Sequence, residues 1–145
     1  MFFLIPLAAF LGLLGGFCLH KFIPEEEEQI KPYLFYAEKI ILALLIVVIF
    51  YESFIFSLPV ILFLLGGIVA GFLFSETYMY FGFALLSLTF LPAVLVFLYG
   101  LTQYKNLFFK GIFFLPFLFL ILSIETGFFQ MFAAGALGVL LFRSK

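Results

Sequence analysis

The sequence predicts an all-α fold, a polytopic integral membrane helical bundle of about six transmembrane helices forming one transmembrane domain over residues 1–145. Three observations predict it. Hydrophobic residues make up 67% of the chain and charged residues only 10%. The mean hydropathy of +1.36 lies far above that of soluble domains. Polar residues also gather in short clusters, separated by apolar runs near the ~20 residues that a helix needs to cross ~30 Å of hydrocarbon. No stretch is left over for a soluble domain.

The first run, Met1 to His20, is apolar from its second residue. It lacks the basic flank and small-residue cleavage site of a signal peptide, and Phe17 precedes Cys18 where a lipoprotein signal would carry a small residue. A retained span over 2–20 is expected. Lys21 to Pro32 contains Glu25, Glu26, Glu27 and Glu28, too costly for the bilayer centre, and reads as a solvated loop. The apolar stretch 35–74 is about twice the crossing length at ~1.5 Å per residue, so it must fold back. Its polar cluster, Tyr51-Glu52-Ser53 followed by Ser57-Leu58-Pro59, sets the turn, with Ser57 as a cap and Pro59 in the first turn of a new helix. Spans over 35–52 and 57–74 result.

Ser75-Glu76-Thr77, the segment Leu101 to Asn106, and Glu125-Thr126-Gly127 mark three further turns. They delimit spans over 78–100, 108–124 and 127–142, with Pro92 and Pro116 inside two of them as predicted kinks.

The chain also matches itself. Leu13-Leu14-Gly15-Gly16 precedes Glu25, and Leu64-Leu65-Gly66-Gly67 precedes Glu76 at the same distance. Glu76-Thr77 precedes Phe83-Ala84 as Glu125-Thr126 precedes Phe132-Ala133. This pattern predicts three repeated helical hairpins that place carboxylate-bearing turns on one face. Gly12 and Gly16, Gly67 and Gly71, and Ala134 and Gly138 are each four apart, the spacing of small residues that lets helix backbones approach in lipid. The 26 phenylalanines exceed what six spans need internally, so many are expected to face lipid or a neighbouring protein.

Charge excludes some functions. Seven Lys and Arg against eight Glu give a net charge of −1, without the basic field that nucleic acid requires. Lysine and arginine near the span ends divide three against four: Lys21, Lys31 and Lys39 on one side, and Lys105, Lys110, Lys145 with Arg143 on the other. The small excess places both termini in the cytoplasm at the cell (inner) membrane.

Catalytic chemistry has little to work with. One His, one Cys and no Asp form no hydrolase arrangement, and there is no phosphate-binding loop; neither enzymatic activity nor a cofactor is expected. Cys18 and His20, two apart on a helix, point to different faces and lack the ligands of a closed metal site. Glu52 is the most informative ionisable residue: a carboxylate about one turn inside an apolar run is suited to bind and release a proton or cation, while Ser53 and Ser57 mark a helix boundary there and point to a turn carboxylate at the headgroup level. Glu38, next to Lys39, reads as half of an interfacial ion pair. Ser87, Thr89 and Gln130 read as helix glue or the lining of a polar path.

The resulting expectation is a small transporter or channel-like component moving a proton or small cation, with Glu52, Glu76 and Glu125 as binding groups. The alternative is a non-catalytic subunit or scaffold of a larger membrane complex. Its expected partners are the lipid bilayer, further copies of the chain, or other membrane subunits. Carriage of a lipid-like substrate fits the composition, with no residue to recommend it.

Overall fold

The computed structural model describes residues 4–22, 27–53, 57–87, 89–102 and 126–143. All regular structure among them is helical: α1 (Leu4–Phe22), α2 (Glu27–Ser53), α3 (Leu58–Leu73), α4 (Thr77–Ala84), a 3-10 turn (Leu85–Ser87), α5 (Phe90–Thr102) and α6 (Thr126–Phe142). The expected span 108–124, with Pro116, and Glu125 lie outside the described residues.

Helix and span boundaries differ at α2. The helix begins at Glu27, well inside the expected loop, and includes Pro32. Acidic residues suit a helix start, where backbone N–H groups carry partial positive charge. Proline removes only the donor to a carbonyl one turn back, and residues 29–33 are exposed, so water can serve that carbonyl. Hydropathy locates where a chain leaves hydrocarbon, which is a different point from where a helix ends. The stretch Gln29–Glu52, 24 residues, is long and apolar enough to cross a membrane; Leu7–Phe22, Leu58–Leu73, Phe90–Thr102 and Gly127–Phe142 are apolar but shorter.

Packing does not follow the expected hairpins. The main partners are α1 with α5 and α3 with α6. Phe63 stacks on Phe128, Gly67 meets the Phe132 backbone and Gly71 meets Ala136, a constant offset of 65 residues that makes α3 and α6 parallel. Gly12 against Phe97 and Gly15 against Leu101 make α1 and α5 parallel in the same way. The two Leu-Leu-Gly-Gly helices therefore play equivalent roles, each laid on a helix that carries Phe and Gly three apart, Phe97 with Gly100 and Phe132 with Gly135. Between these pairs lies α2, which contacts both α5 and α6.

The fourth expected span, 78–100, is not one helix. Tyr78 and Tyr99 would be about 30 Å apart along a continuous helix, yet their ring centroids are 6.2 Å apart, and Tyr99 also meets the Phe81 ring edge at 4.8 Å. The chain runs out along α4, leaves it through the 3-10 turn Leu85–Ser87 and returns along α5. Pro92 occupies the first turn of α5, where its missing N–H has no helical partner to lose, so it marks a helix start and not a kink.

Polar side chains close the helix ends. The Tyr80 hydroxyl reaches the Ala70 and Phe74 carbonyls at the end of α3, at 2.9 and 3.2 Å. The Lys39 ammonium donates to Leu140, Leu141 and Arg143 carbonyls at the end of α6, where a cation offsets the negative end of the helix dipole. Lys39→Met is expected to cost about 1–2 kcal/mol. Amide hydrogen exchange in the last turn of α6 checks this: faster exchange in the variant is expected, and equal exchange would remove the cap's stabilising role.

Candidate functional site

The break between α4 and α5 brings several polar groups together. At the end of α4 the α-helix tightens into the 3-10 turn Leu85–Ser87, and the Leu85 N–H bonds back to the Phe81 and Phe83 carbonyls. The Gln130 amide, on α6 and only 2% exposed, donates to the Ala84 carbonyl at 3.1 Å. Gln130 thus ties α6 to the end of α4, the bond between helices expected of it.

On the other side of the break, Thr89 Oγ1 donates to Glu52 Oε2 at 2.9 Å. Glu52 sits in the last turn of α2 and is exposed, a carboxylate at the helix end and not within an apolar interior. The hydrogen bond ties the end of α2 to the start of α5, so a carboxylate, a hydroxyl and the interrupted helix share one end of the bundle.

Among the described carboxylates, Glu76 does not join it. Glu76 occupies the N-cap position of α4 without a side-chain cap bond and is exposed. It follows α3, whereas Glu52 precedes it, so the 16 residues of α3 hold them apart by about 24 Å. The start of α6 lies beside the start of α3, where Phe63 meets Phe128 and Phe129, and so at the end opposite Glu76. Glu76 and the start of α6 therefore lie at opposite ends of the bundle, while Glu25 and Glu125, the other turn carboxylates of the expected face, lie outside the described residues. Ser57 takes the N-cap position of α3 with Pro59 behind it, though its side chain makes no cap bond.

Glu38 and Lys39 turn to different neighbours. Lys39 reaches the end of α6, while Glu38 lies within electrostatic reach of Tyr78 and Tyr99. This second polar cluster is about 21 Å along α2 from Glu52, and the ion-pair reading of Glu38 concealed it.

Of the small residues expected at helix contacts, Gly12, Gly67 and Gly71 face a neighbouring backbone, and Gly16 and Ala134 are buried. Gly138 faces open space, because the contacting stripe of α6 runs through Phe128, Phe132, Gly135 and Val139, one position over. Gly100 and Gly135, which also meet backbone, escaped a search for small residues four apart; the shared Phe-x-x-Gly spacing is the signal that finds them. Cys18 is exposed, and among the described residues no three His, Cys, Asp or Glu side chains gather as a metal site would require.

No family model matches the chain, and neither a curated protein nor a solved structure matches it.

Proposed function

We propose that the chain is a polytopic membrane bundle and serves as a small transport component for a proton or small cation, with Glu52 as the binding group at one end. Membrane residence is supported by helices that are apolar on both faces. On α2, Leu42, Leu45 and Ile49 are buried while Ile40, Leu44, Val47 and Tyr51 form an exposed stripe; on α3, Leu58, Leu62, Leu65, Val69 and Phe72 do the same. In water such stripes would be a large unsheltered apolar surface, and in lipid they are the natural exterior. Helices as short as α3 are accommodated by apolar flanks or local thinning of the bilayer.

The transport reading is carried by one observation: the helix is broken between α4 and α5 at one end of the bundle, where buried Gln130 donates to the Ala84 carbonyl and Thr89, beyond the break, is tied to Glu52. Interrupted helices are where membrane carriers bring polar backbone and a carboxylate to an ion. The test is reconstitution into vesicles containing a pH-sensitive dye. Protein-containing vesicles are expected to dissipate an imposed pH gradient at least tenfold faster than protein-free ones. Equal rates, repeated with sodium and potassium gradients, would overturn the proposal and favour the subunit reading, in which the exposed stripes contact other membrane proteins.

A further inference from the structure

An open-sided groove of about 610 Å³ runs between α2, α3 and α6, within the ~300–1,000 Å³ of typical ligand clefts. Its walls come from apolar side chains such as Phe50 and Ile68, its floor includes Gly138, and its one charged lining residue among the described residues is Arg143 at the end of α6. The groove is not a packing defect closed by its own side chains. A Cβ added at Gly138 would meet nothing within 4 Å, and Phe72 and Phe142 at its margin are 68% and 87% exposed.

Charge decides the occupant. A helix C-terminus ordinarily repels anions, but here Lys39 covers the Leu140, Leu141 and Arg143 carbonyls, leaving the Arg143 guanidinium to act as a cation. An apolar trough ending in one arginine fits a long hydrocarbon chain joined to a phosphate, which a guanidinium can bind through two parallel hydrogen bonds. The open flank lets a second chain remain in the bilayer.

We propose that this groove holds one acyl chain of an anionic bilayer phospholipid, with the lipid phosphate on Arg143. The proposal rests on the bundle lying in a membrane, and it gives a lipid-like ligand the residues that composition alone could not supply. It does not depend on ion transport.

The test is native mass spectrometry of the full chain in mild detergent, titrated with dioleoylphosphatidylglycerol or dioleoylphosphatidylcholine. The unaltered protein is expected to carry one phosphatidylglycerol, preferred at least fivefold over phosphatidylcholine. Gly138→Leu, which fills the groove from its floor, is expected to reduce both lipid adducts at least tenfold. Gly127→Leu, on the same helix at another position where a Cβ is unobstructed, is expected to leave them unchanged. Arg143→Gln, at an exposed site where folding is not at stake, is expected to abolish the headgroup preference while the chain still binds. Unchanged adducts in Gly138→Leu, or an undiminished preference in Arg143→Gln, would overturn the proposal. So would a dimer of the chain that forms in place of the lipid adduct and is lost in Gly138→Leu. Alkaline carbonate extraction separates the two readings: a protein washed off membranes would remove the membrane bundle itself, whereas a failed groove leaves the protein resistant to extraction.

Discussion

Gly67→Ala is expected to destabilise the bundle by about 2–3 kcal/mol, the effect of overpacking where neither side can yield. The added methyl would meet the Phe132 carbonyl oxygen, with the carbonyl carbon at 2.7 Å and Cα at 3.0 Å. All three are backbone atoms of α6, so no rotamer change relieves the clash and the two helices must separate. Separation loosens the whole parallel seam, from the Phe63–Phe128 stack to Gly71 against Ala136. In lipid that seam depends on close van der Waals packing, because hydrocarbon outside the bundle is as apolar as the side chains within it. Gly66→Ala is the matched comparison. Its nearest neighbour would be the Phe132 ring at 3.9 Å, and the gain of alanine over glycine in a helix, about 1 kcal/mol, is then unopposed. Thermal unfolding in detergent should show the Gly67 variant melting well below the parent and the Gly66 variant at or above it. Equal midpoints for the two variants would refute the close-approach reading.

Glu52→Gln is expected to reduce flux at least tenfold, to the rate of protein-free vesicles, while stability stays within about 0.5 kcal/mol of the parent. The carboxamide has nearly the shape of the carboxylate and keeps an oxygen that can accept the Thr89 hydroxyl, so what disappears is the charge and the titrating proton. Glu52→Asp preserves charge but draws the oxygens back from Thr89, and a partial loss is expected. Glu76→Gln should leave flux unchanged, because Glu76 lies at the other end of α3. Parent-like flux in Glu52→Gln at unaltered elution volume and helix content would remove Glu52 from the mechanism.

Residue chemistry alone determined that the described chain is helical, and it located the turn beyond Glu52, the turn at Ser75-Glu76-Thr77 and the start of α6 near Thr126. These are local matters: apolar length sets where a helix can run, and Ser, Thr, Glu and Pro punctuate its ends. It also drew attention to Gly12, Gly67 and Gly71, because small residues one turn apart are a local pattern. What only the tertiary structure decided is which helices meet. Pairing α1 with α5 and α3 with α6 brings together residues 65 or more positions apart, and no spacing rule on a single helix encodes a partner that distant. The fold-back between α4 and α5 was hidden for a related reason. Its residues are nearly as apolar as the helices around them, so hydropathy shows no gap, and Gln130 from α6 adds a buried hydrogen bond to the Ala84 carbonyl there. In a chain this apolar, hydropathy cannot distinguish an inward face from an outward one, and close approach between backbones and a few buried hydrogen bonds decide the arrangement.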